Sequence, residues 1–170
     1  MVLSVSNSQV GNKAPVFDLF KEDHVNLIMF ICNHCPYVEF RMSTISKLVK
    51  DYKDRVNIVA INSNDSTDYP EDAPEYMSDF AKKWDLQCQY IYDYNQAIAH
   101  NYNAVCTPEF YVVNKEGIIS YHGELDPAHT SNNLEPTGST LRHALDLALV
   151  DRYVHWLPNP SFGCSIKWKE

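Results

Sequence analysis

No apolar run in this 170-residue chain approaches the ~18 positions that a membrane-spanning helix requires, so a helical span is excluded. Positive charge is not in excess either. The formal net charge is −8 at pH 7, which argues against a sequence-independent grip on nucleic-acid phosphates, since Lys and Arg supply that grip. The opening segment, MVLSVSNSQVGNKAPVF, lacks a basic patch followed by a long apolar core. No secretory signal is therefore expected, and a cytoplasmic location is. Internal repeats and low-complexity tracts are also missing.

What remains is an ordinary globular composition of a size that fits one domain. A fold of this length hides roughly 70% of the surface its unfolded chain would expose, so it needs no disulfide or metal to stand. Residues 1–150 read as that domain. Residues 151–170 lack a clear period and read as a tail laid on it.

There are five cysteines, Cys32, Cys35, Cys88, Cys106 and Cys164. An odd number without an expected export signal does not fit a structural disulfide framework. Inert core residues, catalytic thiols and metal ligands are the readings left to separate.

Hydrophobic period assigns the elements. Val25–Ile31 is short and almost wholly apolar, which predicts a buried strand. Val38, Met42, Ile45, Val49 and Tyr52 recur at steps of four and three, which predicts a helix with one apolar face. Val56–Asn62 reads as a second buried strand, closing a right-handed β-α-β crossover. Residues 63–75 are acidic and Pro-rich and read as a solvated loop. Pro74 suits the first turn of a helix through Trp84. A strand over 88–93, a short helix over 96–102 and a hairpin over 109–123 follow, the hairpin turning at Lys115-Glu116-Gly117. A loop over 124–138 and a helix through Leu141, Leu145 and Leu149 complete the body. The order predicts an α/β domain: a mixed β-sheet flanked by helices on both faces.

The segment NLIMFICNHCPYVEF places Cys32 and Cys35 where a strand gives way to a helix. The first amides of a helix lack internal partners and carry partial positive charge. A sulfur beside them has its thiolate stabilised, and this is expected of Cys32. Cys35, one turn along, is close enough to attack a mixed disulfide formed at Cys32. Pro36 costs no helical hydrogen bond in the first turn. His34 can add positive charge or a donor near the thiolate, and Asn33 completes the spacer. A Cys-x-x-Cys pair in a β-α-β unit points to thiol–disulfide exchange. Half of a structural zinc site is the bland alternative, but a zinc ribbon would need a second close pair, and none exists.

Thr107-Pro108 stands at the entrance to a strand, where proline is tolerated. It reads either as an ordinary trans bond or as a cis bond exposing backbone toward an extended substrate. Cys106, two residues earlier, is a third redox partner, a metal ligand or a packed small hydrophobe. Cys164, after Gly163, is a further resolving thiol carried in by the tail, or part of a strand-like end packed on the sheet. Cys88 reads as core. Tyr37, Trp156 and Trp168 either frame a peptide groove or anchor the core and tail.

Together FICNHCPYV, AVCTPEFYV and GCSIKW resemble a family of bacterial redoxin-domain proteins of the thioredoxin fold, over residues 14–168. The resemblance implies a thioredoxin-like mixed sheet with a redoxin-type insertion and a C-terminal tail. It implies Cys32 as attacking thiol, Cys35 as resolving thiol and Pro108 as a cis proline, with Cys106, Thr107 and Pro108 at the substrate. The chain departs from thioredoxin proper: Ile31 replaces Trp and Asn33-His34 replaces Gly-Pro, and a His before the second Cys is the pattern of disulfide isomerases and oxidants. Met29 stands where peroxiredoxins carry Thr. There is little room between Phe17 and Val25 for the hairpin redoxins place there.

The expected function is thiol–disulfide exchange with a protein or small-molecule disulfide or dithiol, without cofactor, metal, nucleic acid or membrane. The reducing partner is not identified by the sequence. A thiol peroxidase and a non-catalytic Zn or Cu carrier using Cys32, Cys35 and Cys106 are the rival readings. The redox reading requires the two sulfurs within bonding reach of each other and open to solvent.

Overall fold

The computed structural model describes all 170 residues. Its elements, in order, are β1 (Leu3–Val5), β2 (Asn26–Phe30), α1 (Pro36–Tyr52), β3 (Asn57–Asn62), α2 (Pro74–Lys83), β4 (Gln89–Tyr92), α3 (Ala97–Tyr102), β5 (Cys106–Thr107), β6 (Glu109–Val113), β7 (Ile119–Gly123), α4 (Ser139–Leu149) and β8 (Phe162–Ser165). A short 3-10 turn covers Pro70–Asp72. No helix is long and apolar enough to cross a membrane.

The main sheet runs β4-β3-β2-β6-β7. Strands β2, β3 and β4 are parallel, β6 runs antiparallel to β2, and β7 runs antiparallel to β6. The continuous apolar run of β2 follows from its central position, because both faces are covered. Alternation along it divides the core. Leu27 and Met29 face a cluster with Met42, Ile45 and Leu145, which brings α1, α2 and α4 to one side. Ile28 and Phe30 face Tyr102, Tyr111 and Val113 on the other, with α3 and the segment around Phe17 and Phe20.

A second sheet, β1-β8-β5, has no counterpart in the periodicity. Its strands are two to four residues long, too short for alternation to register. Long-range pairing makes them: β8 is antiparallel to both β1 and β5. Between β1 and β2 there is no hairpin, only a single bridge of Lys13 to Ile118.

The acidic loop is solvated over residues 67–71, as its composition predicts, but not at its two ends. Ser63, Asn64, Asp65 and Asp72 are buried. Asn62 Nδ2 donates to the Asp72 carbonyl and Asn64 Nδ2 to the Asp72 carboxylate, both at 2.8 Å, while the Ser63 hydroxyl donates to Asp93 at 2.8 Å. Paired polar groups of this kind can be buried at little net cost.

The core packing is directly testable. Ile45 is fully enclosed between α1 and the sheet, so Ile45→Ala is expected to lower unfolding free energy by about 2–5 kcal/mol. Urea titration of both proteins measures this, and a loss below ~1 kcal/mol would mean that α1 is not packed as described.

Candidate active site

Parallel pairing of β2 with β3 ends at Phe30, and Ile31 N–H still bonds Ile61 O at 3.0 Å. The chain then leaves the sheet. Helix α1 begins at Pro36, with Cys35 as its N-cap residue in extended conformation. The helix end therefore falls at Cys35 and not, as the sequence predicts, at Cys32. Three loop residues separate Cys32 from the helix, because Pro36 sets the first helical position and disfavours helical backbone in the residue before it.

The intervening Asn33 and His34 are tied to the 3-10 turn. Asn33 Nδ2 donates to Glu71 O at 3.2 Å, and Tyr90 OH donates to Asn33 Oδ1 at 2.9 Å. His34 N–H donates to Asp72 Oδ1 at 2.9 Å. The His34 ring is turned outward, 70% exposed, with Nδ1 3.2 Å from Glu71 Oε1. The ring faces Glu71, not the sulfurs, while its backbone amide is held by the buried Asp72.

Thr107 lies across both sulfurs. Its hydroxyl is 3.4 Å from Cys32 Sγ, and in its thiol form Cys35 donates to the Thr107 carbonyl at 3.5 Å. The Thr107–Pro108 bond is cis. Strand β5 holds Thr107 opposite Cys164 on β8, and there Cys164 Sγ reaches to 2.7 Å from Cys35 Sγ. The tail is thus strand-like and at the site as well; the two readings of Cys164 are not exclusive.

Cys106 is turned elsewhere. Its sulfur contacts Glu109 Oε2 at 3.6 Å, and burial pushes its thiol far above the ordinary range. It joins a buried polar group the sequence did not announce. The Glu109 carboxylate accepts from Val105 N–H (2.8 Å), Cys106 N–H (3.0 Å), Tyr111 OH (2.9 Å) and His122 Nε2 (2.7 Å). His122 Nδ1 accepts from Gln9 N–H at 3.0 Å, which puts the ring proton on Nε2. No group of three or more His, Cys, Asp or Glu side chains is arranged to hold a metal ion.

The charge distribution follows from these contacts. Cys35 is held well below the usual thiol range, chiefly because a thiolate there accepts from the Cys164 thiol and then from Cys32. Cys32 is pushed up, first by donating to Cys35, then by burial and by the negative field of Asp72. Burial also raises Asp72. The helix terminus and the donors converge on Cys35, where the sequence leads one to expect them at Cys32.

Access is the other departure. Cys32 and Cys35 are each only 1% exposed, whereas reactive cysteines ordinarily sit partly exposed. Beside Pro108 a cavity of about 300 Å³ is lined by Arg41, Phe110, Glu124, Leu125 and Phe162 among others. Arg41 is buried, donating to Ala128 O at 2.7 Å and Tyr37 O at 3.1 Å. Burial works against its charge, while Asp126, Glu124 and Cys35 favour it. Tyr37 packs edge-on against Phe162. Trp156 stacks on His143 and Trp168 on His100, so those two anchor other parts of the tail. Cys88 is half-buried against the core, and desolvation raises it to about 12.

The chain is similar to several known proteins. A model of the AhpC/TSA family matches residues 4–122. A solved structure of an uncharacterized conserved protein from Geobacillus kaustophilus is 40% identical, with a TM-score of 0.94 over 99% of this chain and 97% of that one. A hypothetical protein from Sinorhizobium meliloti 1021 is 33% identical, with a TM-score of 0.92 over 97% of each chain. A secreted Mycobacterium tuberculosis disulfide oxidoreductase, described as homologous to E. coli DsbE, shares the fold at 17% identity. Its TM-score is 0.58 over 74% of this chain and 82% of its own. Among curated proteins nothing matches. The fold is thioredoxin-like, as the motifs imply.

Two measurements check the electrostatics. The far-ultraviolet thiolate absorbance of the reduced protein is expected to persist well below the ~8.5 at which free cysteine titrates, and to be lost in Cys35→Ser. Persistence in Cys35→Ser would assign the thiolate elsewhere. Asp72→Asn removes the negative field at Cys32, so Cys32 should ionise at lower pH. Its alkylation rate at fixed neutral pH should then rise by roughly tenfold; an unchanged pH profile would show that Asp72 does not act on Cys32.

Proposed function

Since the chain belongs to the AhpC/TSA family, we propose that it is a thiol–disulfide oxidoreductase whose redox couple is Cys32 and Cys35. The observation that carries the reading is the placement of both sulfurs against Thr107, beside the cis Pro108. The substrate is a protein or small-molecule disulfide, or a dithiol in the reverse direction.

Cys35 is enclosed by Cys164, the Thr107 carbonyl and the first turn of α1. Cys32, at the strand end, is the sulfur that meets substrate. In the reduced state its proton is shared with the Cys35 thiolate. Cys32 attacks a disulfide RS–SR′ as its proton passes to Cys35. The Cys32–SR mixed disulfide forms, and R′S⁻ leaves and takes that proton. The Cys35 thiolate then attacks the Cys32 sulfur, the internal disulfide forms and RS⁻ departs. Cys35 serves first as base and then as resolving nucleophile.

Burial sets the access step. The Asn33–His34 segment follows Cys32 directly and is held by the hydrogen bonds to the 70–73 turn. Substrate entry requires a local opening at Cys32, a motion of low cost compared with global unfolding. Once in, an extended substrate has the Pro108 edge and the adjoining cavity beside it.

An insulin-reduction assay tests the assignment. Cys32→Ser should fall to the uncatalysed level, and Cys35→Ser should accumulate mixed disulfides at Cys32. Full activity in Cys32→Ser rejects the reading. Peroxide consumption should be no faster than that of a free thiol, and a fast rate dependent on a single cysteine would make the protein a thiol peroxidase instead.

A further inference from the structure

Cys164 is held in place from both sides. Upstream, Ser161 N–H donates to Ser6 Oγ at 2.9 Å and Ser161 Oγ to Gly123 O at 2.6 Å. Downstream, Ile166 N–H bonds Val105 O at 3.0 Å, and the Lys167 carbonyl accepts from Asp65 N–H at 2.8 Å and from Gln96 Nε2 at 2.7 Å. Between these anchors β8 is paired on both edges, with Cys164 opposite Leu3 on one side and Thr107 on the other. A slip of one residue would turn its side chain to the opposite face.

The approach is close enough to demand glycine at the preceding position. A Cβ on Gly163 would overlap the Thr107 carbonyl oxygen and stand 2.8 Å from its carbon. Both are backbone atoms and cannot swing aside. Gly163 is therefore what lets β8 come close enough for Cys164 Sγ to lie 2.7 Å from Cys35 Sγ. The two thiols are within reach of exchange, and no side chain stands between them.

We propose that Cys164 is a third redox thiol of this site and that the disulfide formed at Cys32–Cys35 passes to Cys35–Cys164. This rests on the thiol–disulfide reading above. Cys164 sulfur attacks the Cys35 sulfur; the Cys35–Cys164 bond forms, the Cys32–Cys35 bond breaks, and Cys32 leaves as thiolate and takes the proton that Cys164 gives up. The step is redox-neutral within the chain, the oxidising equivalent having come from the substrate disulfide. It leaves Cys32 reduced at the substrate end and the disulfide between α1 and β8. A dithiol reductant then acts on the Cys164 sulfur, which at 6% exposure is the least enclosed of the three.

Trypsin separates the possibilities, because Cys32 and Cys35 share peptide 22–41 while Cys164 lies in peptide 153–167. The full chain is reduced, freed of reductant, treated with oxidised glutathione, quenched in acid, alkylated and mapped. The expected product is peptide 22–41 linked to 153–167, with Cys32 alkylated. The link should be lost in Cys32→Ser, which lacks the sulfur that takes the disulfide in, and vanish in Cys35→Ser. Gly163→Ala should lower it by roughly tenfold or more, since the sulfurs are moved out of bonding geometry, while the disulfide within 22–41 remains. Three results overturn the proposal: Cys164 alkylated throughout while the 22–41 disulfide forms, a link that survives Cys35→Ser, or an undiminished link in a folded Gly163→Ala. The first leaves the thiol–disulfide reading standing. Absence of any disulfide defeats that reading as well.

Discussion

Three sulfurs converge on one residue, Thr107. Its hydroxyl meets Cys32, its carbonyl meets Cys35, and its backbone is the register partner of Cys164. Thr107 can do this because the loop that carries it is itself held. Glu109, buried behind it, collects the amides of Val105 and Cys106 together with Tyr111 and His122. A buried carboxylate is costly unless its acceptor capacity is filled. Here it is filled by backbone donors of the loop itself, so the charge and the loop conformation stabilise each other. The N-terminal segment enters the same network through Gln9 on His122. The main sheet, the short second sheet and the sulfur cluster are thus joined through a few side chains around one proline turn.

The electrostatics around that junction distinguish the two sulfurs of the pair. Cys35 takes the helix terminus and the donors, while Cys32 lies in the field of Asp72. A carboxylate on one side and a neighbouring thiolate on the other favour the proton on Cys32. Burial strengthens each of these interactions, since the local dielectric is low. The Asn33–His34 segment that follows Cys32 is polar, short and tied to the 70–73 turn by a few hydrogen bonds. The acidic loop between β3 and α2 therefore does two things, supplying Asp72 and holding Asn33 and His34.

The sequence made the main sheet legible because its elements are long enough for period to show. The apolar run of β2, the face of Val38, Met42 and Ile45 on α1, and the hairpin of β6 and β7 all carry their own signal. Asp72 and Glu109 carried none, since a carboxylate in a loop or at a strand entrance reads as solvent-facing until its donors are known. His34 misled for the opposite reason. Its position between the cysteines is adjacent in sequence, yet its ring faces Glu71 while its amide is held by Asp72.

By itself the sequence determined the α/β pattern, the pairing of Cys32 with Cys35 after a strand, and the proline turn far downstream. These are local: period, spacing and the preferences of proline set them. Which sulfur lies at the helix end and which thiol comes to lie against Cys35 were decided only by tertiary structure. Strands β1, β5 and β8 have no stability of their own and exist because distant segments pair. The contact of Cys164 with Cys35 depends on Gly163 passing Thr107, more than fifty residues away in the chain. No local pattern encodes an approach of that kind, because its cause is the absence of a side chain where two backbones meet.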